Sequence, residues 1–287
     1  MKFGEFRLYD TFLENDLITQ DKYLKFAEEN LDWIQFAKTD SLWNSFDWRG
    51  RHVERFIPQK PVVVFSHSDL SFKQQYADMI VGRETNAIFA VNAECMHKDV
   101  YGLPHGLTND CHDTERHPIL GNQQILFDIL KTEKHPKHLV YMNFNTQTDI
   151  RRPNPIRKNL WDSFSPLQSI YKKECTDQHM NLLDRKQYLQ DLYDSKFVLC
   201  PEGNGIDTVR VWEALYCRTI PIVQINIAMR YFNELPILWV NNWGECMDPN
   251  YLEMQYNRIM NSEWNLDMLK IGYWEEKMKE VYKESVK

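Results

Sequence analysis

Phe197-Val198-Leu199-Cys200-Pro201-Glu202-Gly203-Asn204-Gly205-Ile206-Asp207-Thr208-Val209-Arg210-Val211-Trp212-Glu213-Ala214-Leu215-Tyr216 holds the densest local signals in the chain. Its apolar start reads as a buried strand. Gly203 and Gly205 then supply a turn in which backbone can come close to a ligand. Asp207 or Thr208 is a good N-cap for a helix over 208–217. Strand, glycine turn and helix start together make an anion site, because the first helical N–H groups have no partner of their own.

The pattern continues on both sides. Residues 187–194 read as a helix and 196–200 as a strand, with further strands expected at 220–225 and 239–241. Earlier in the chain, Pro61-Val62-Val63-Val64-Phe65 is an apolar run that ends in Ser66-His67-Ser68-Asp69. Ala87-Ile88-Phe89-Ala90-Val91 ends in Asn92-Ala93-Glu94, and His138-Leu139-Val140-Tyr141-Met142 ends in Asn143-Phe144-Asn145. Three such runs, separated by helix-length segments, predict an α/β unit with one parallel sheet. Residues 21–38 are expected to be a helix, from the spacing of Leu24, Ala27, Leu31 and Ile34. Arg151-Arg152-Pro153-Asn154-Pro155 cannot be regular helix or central strand and marks the boundary between two halves. The tail over 266–286 reads as an amphipathic helix with Leu266, Leu269 and Tyr273 on one stripe.

Length and composition fit a folded protein of two units: 287 residues, 43% hydrophobic and 26% charged. Formal net charge is −7, so bulk electrostatics argue against a nucleic-acid partner. No apolar run approaches a transmembrane span, and the start of the chain does not resemble a signal peptide. Cys95, Cys111, Cys175, Cys200, Cys217 and Cys246 include no C-x-x-C, and they are expected to be reduced thiols of a cytoplasmic protein. Cys95, His97, His105, Cys111, His112 and His117 do not match a zinc spacing, and no metal site is expected there. Trp43, Phe46 and Trp48 are candidates for a platform on which a ligand stacks, although scattered aromatics usually pack in a core.

On the central helix, Arg210 can hold phosphate oxygens with its planar fork. Glu213, one turn on and sharing a face with Asp207 and Arg210, can accept from the two hydroxyls of a ribose. The alternative is a structural turn followed by an ordinary intrahelical ion pair. Gly203-Asn204-Gly205 comes near the dinucleotide fingerprint, but the third glycine is missing. The next strand also ends in Gln224 and Asn226 rather than an acidic residue, which argues against a nicotinamide dehydrogenase.

The run from Ser195 through Gly205 to Tyr216, with Thr219-Ile220-Pro221-Ile222-Val223, resembles the signature of exostosin-like glycosyltransferases. Further resemblance lies in Phe65-Ser66-His67-Ser68-Asp69, in Ile88-Phe89-Ala90-Val91-Asn92 with Gly102-Leu103-Pro104-His105-Gly106-Leu107-Thr108-Asn109, and in Asn143-Phe144-Asn145 with Asn154-Pro155-Ile156-Arg157-Lys158. It covers roughly residues 60–225, in order, with departures at Ser68 and His105.

The resemblance implies a GT-B architecture, in which two Rossmann-like lobes face each other across a cleft. Residues 1–150 would form the acceptor-side lobe and 151–265 the nucleotide-sugar lobe. Residues 266–287 would form a helix returning to the first lobe. The implied reaction moves one sugar from a UDP-sugar, with UDP-xylose a candidate as in some freestanding viral members, to a glycan hydroxyl. The absence of Asp-x-Asp fits metal independence, with cations and a helix dipole neutralising the leaving diphosphate.

Arg157 and Arg210 are then the expected diphosphate ligands and Glu213 the ribose ligand. The backbone of Gly203, Asn204 and Gly205, with Thr208, would line the phosphate end. An inverting transfer needs a base. Asp69 is the first candidate, with His67 and Glu94 in reserve, although Asp69 could equally serve as a loop cap. A non-catalytic glycan- or nucleotide-binding module is the main alternative, and an epimerase or hydrolase a weaker one.

Overall fold

The computed structural model describes residues 1–42, 56–109, 117–148, 155–173 and 182–286. In chain order its strands are β1 (Ile34–Lys38), β2 (Val62–Ser66), β3 (Phe72–Lys73), β4 (Ala87–Val91), β5 (Ala93–Glu94), β6 (Val100–Leu103), β7 (His138–Met142), β8 (Ile170–Lys172), β9 (Ser195–Leu199), β10 (Ile220–Gln224) and β11 (Leu238–Val240). The chain is a mixed α/β protein built on parallel sheets, as its apolar runs lead one to expect. One sheet has the order β1-β2-β4-β6, and a second has the order β11-β10-β9-β7-β8. All of their ladders are parallel. β3 and β5 form a separate short pair. β2 and β4 are buried at every position, which is why they read as continuous apolar runs rather than alternating ones.

Three expectations need correction. The helix expected over 21–38 ends at Glu29, and Ile34–Lys38 is β1, paired residue for residue with β2 from Ile34–Val62 to Lys38–Ser66. The helix buries Tyr23, Phe26 and Ala27, whereas Leu31 is 62% exposed. The helical spacing therefore ran through a turn into an edge strand. Second, β7 does not join β2 and β4. It lies between β8 and β9, so the change of sheet falls between β6 and β7 rather than at 151. Third, the tail divides at Lys270 into a 3-10 turn, Leu266–Leu269, and the helix Ile271–Ser285. Residues 151–154 of the expected boundary lie outside the described residues.

The two halves exchange segments. The helix Ile271–Ser285 packs on the first sheet, where Tyr282 stacks on Trp33 with ring centroids 4.7 Å apart and Asn86 donates to the Ser285 carbonyl. The opening segment goes the other way. Lys2 bridges Glu263, and Arg218 donates to the Gly4 carbonyl at 3.0 Å. The Tyr216 hydroxyl, on the central helix, accepts from the Ile18 N–H and donates to the Leu269 carbonyl.

Candidate functional site

The order of the second sheet contains a reversal. From β7 the chain moves outward to β8, then returns to the other side of β7 for β9 and continues outward to β10 and β11. Ligands of open parallel sheets bind at the carboxyl ends of the strands flanking such a reversal. Here those ends carry Asn143-Phe144-Asn145 and Cys200-Pro201-Glu202-Gly203. Two arginines from different helices converge on the Phe144 ring, with the Arg157 guanidinium 6.0 Å and that of Arg210 5.9 Å from its centroid. Arg157 is buried, begins the helix Ile156–Phe164 and donates from Nε to the Glu202 carbonyl at 3.0 Å. A Cβ at Gly203 would overlap Arg157 Nη2, so a glycine is required for this approach. Burial pushes the Cys200 thiol up to about 12, Arg210 and Arg157 pull it down, and Glu213 and Asp207 push it up. A cleft of about 220 Å³ adjoins the loop and is lined by Cys200, Glu202, Ile206, Val223, Asn226 and Trp243, among others.

Glu213, the expected ribose ligand, is enclosed and already partnered. It is only 3% exposed. Its Oε1 pairs with Arg185 Nη1 at 2.6 Å, and its Oε2 accepts from the Tyr188 hydroxyl at 2.7 Å. Arg185 is as deeply buried and needs that counter-charge. Asp207, expected to share a helix face with Arg210 and Glu213, lies just before the helix Val209–Tyr216 and is buried. Its buried carboxylate accepts from the Trp212 indole N–H at 2.9 Å and from the His105 N–H at 2.7 Å, while its own N–H donates to Asn92 Oδ1 at 2.8 Å. Thr208 is the N-cap of Val209–Tyr216, but its hydroxyl makes no capping bond. Gly205 is buried, and a Cβ there would lie 3.0 Å from Asn92 Nδ2, whereas Asn204 is exposed. The glycine loop is thus clamped to the strand ends of the first sheet.

At those strand ends lies a cavity of about 250 Å³, lined by Gln20, His67, Ser68, Asp69, His105 and Leu107, among others. Asp69 is exposed on its rim. His67 follows β2 with φ at 56° and Asn92 follows β4 with φ at 55°. Non-glycine residues held in the left-handed region often mark functional sites. Glu94 lies in β5 and does not line this cavity.

Gln20, which no motif marks, is the hub of this site. Its Oε1 accepts from the Ser66 hydroxyl and the His67 backbone N–H. Its amide nitrogen therefore faces His105 Nε2, at 3.0 Å, which must be the unprotonated nitrogen of a neutral ring. Burial likewise pushes the His105 pKa down, while Asp69 pulls it up. Asp21, next in the chain, places Oδ1 2.7 Å from His67 Nε2. Only the assembled fold brings residues 20–21 beside 66–69, and the sequence carried no mark of it.

Cys95, Cys200, Cys217 and Cys246 are buried free thiols. Cys111, His112 and Cys175, and the aromatics Trp43, Phe46 and Trp48, lie outside the described residues. Among the described residues no group of three or more His, Cys, Asp or Glu is placed to hold a metal ion, and no helix is long and apolar enough to cross a membrane. No protein-family model and no curated protein matches the chain.

Proposed function

We propose that the chain is a metal-independent glycosyltransferase that moves one sugar from a UDP-sugar to a hydroxyl of a glycan acceptor. UDP-xylose is the first donor to try. The observation that carries this reading is the convergence of Arg157 and Arg210 beside Phe144, at the reversal of the second sheet, with Arg157 against the glycine loop at Gly203. A diphosphate there would meet two planar cation forks and the N-terminus of Val209–Tyr216, which together offset the charge that develops on a leaving group. In a GT-B arrangement the second sheet would belong to the donor lobe and the first sheet to the acceptor lobe, in a cytoplasmic enzyme.

The enclosure of Glu213 favours a second reading, a module that binds a nucleotide or glycan without turnover. A thermal-shift screen against nucleotides and nucleotide-sugars in EDTA, repeated with Arg210→Ala, tests donor binding. A ligand at a hundredfold excess over Kd adds about 2.7 kcal/mol of stability. The expected result is a raised midpoint with UDP and one UDP-sugar that persists in EDTA and disappears in the variant. A flat response to every nucleotide removes the transferase reading, and binding without turnover supports the second one.

A further inference from the structure

The cavity at the end of the first sheet contains a histidine held far more tightly than the exposed carboxylate beside it. Four features fix His67. Its backbone is in the left-handed region, its N–H donates to Gln20 Oε1, and its ring meets the Phe36 ring edge-on with centroids 5.2 Å apart. Its Nε2 lies 2.7 Å from Asp21 Oδ1. An ionised carboxylate only accepts, so Nε2 carries the hydrogen and Nδ1 of the neutral ring carries a lone pair. Nδ1 is buried and has no hydrogen-bond partner among the described residues. Asp21 is itself positioned, because its N–H donates to Asn109 Oδ1 at 3.0 Å. Asp69 is exposed and follows the histidine in the loop.

We propose that His67, oriented by Asp21, is the general base that activates the acceptor hydroxyl. This rests on the transferase reading and assigns the base within it to His67 in place of Asp69. His67 lines the cavity, and an acceptor hydroxyl that reaches Nδ1 there would be the donor this buried atom lacks. As its oxygen bonds to the anomeric carbon, the bond from that carbon to the diphosphate oxygen breaks and the electron pair leaves with the diphosphate. The hydroxyl proton passes to His67 Nδ1, and the imidazolium so formed faces the Asp21 carboxylate. The ring returns the proton to water once product has left. Asp21 is a positioning residue. It selects the tautomer and stabilises the cation without meeting the acceptor.

Two measurements test this. In ¹⁵N-histidine-labelled protein, long-range nitrogen–proton correlation should show His67 as the Nε2–H tautomer, and Asp21→Asn should shift it towards Nδ1–H. Turnover is read as UDP release from the UDP-sugar that binds best, with water or a soluble oligosaccharide as acceptor. His67→Ala and Asp21→Asn should lower kcat by about 10²–10⁴-fold, the usual contribution of a base. Both variants should keep the wild-type thermal shift with UDP, which shows that they fold and bind donor. Failure of wild-type protein to bind any nucleotide sinks the transferase reading, and the base role with it. A protein that binds and turns over donor sinks this inference alone if His67 is the Nδ1–H tautomer. The same holds if His67→Ala retains turnover while Asp69→Asn abolishes it.

Discussion

Asp207 is buried at the junction of the two sheets, and burial pushes its carboxyl up to about 7, against the pull of the His105 N–H and the Trp212 indole. An unfolded chain releases this proton at about pH 3.9. Between those values the native state holds a proton that the unfolded state has lost. Stability therefore falls as pH rises through that window and levels off above about 7. Asp207→Asn carries no charge to titrate and should flatten this part of the profile. Its amide nitrogen would also face one of the N–H donors, which costs about 1–3 kcal/mol at the acid end. Denaturant unfolding at a series of pH values checks both effects, and a wild-type–variant difference independent of pH would refute the assignment. Glu213 teaches a related lesson at this scale. Its spacing from Arg210 is visible in the sequence, but Arg185, which occupies it, reaches the site from the preceding helix, Leu182–Tyr193.

Among the elements, the helix Ile271–Ser285 depends on a few apolar anchors. Trp274 and Met278 are buried against the rest of the fold. Met278→Ala should destabilise the protein by about 2–5 kcal/mol, while Met254→Ala, on the exposed side of Pro249–Asn261, should stay within about 0.5 kcal/mol. Urea titration of the two variants distinguishes an anchored helix from a loosely docked one. Elements that bury both faces of a strand were legible in advance. β2, β4, β7, β9 and β10 all announced themselves as apolar runs. β1 did not, because Ile34 continues the helical spacing of Leu24 and Ala27, and only pairing with β2 makes it a strand. β6 and β8 are three or four residues long and break their apolar character at Gly102 and Lys172. The sheet to which β7 belongs was equally hidden, since an apolar run does not encode its neighbours. The glycine loop and Arg210 could be read because turn chemistry is local, whereas the Gln20–His67–His105 network joins residues more than 40 positions apart.

For the molecule as a whole, the exchange of segments makes the two sheets interdependent. A fragment of residues 151–265 would lack β7, which lies between β8 and β9, and the opening segment that packs near Arg218. It should remain unfolded by circular dichroism, whereas residues 1–287 unfold as one transition. A fragment with a cooperative melt of its own would contradict this. The same arrangement bears on the order in which the protein is made. Residues 3–12 leave the ribosome before every strand, yet the surface that receives them is completed only when Pro249–Asn261 and Leu266–Leu269 have been synthesised. Phe3, Phe6, Leu8 and Phe12, all buried in the finished protein, must wait for neighbours that lie far later in the chain, around Tyr216, Arg218 and Glu263. An apolar segment left open for so long during synthesis is a natural client for a ribosome-associated chaperone.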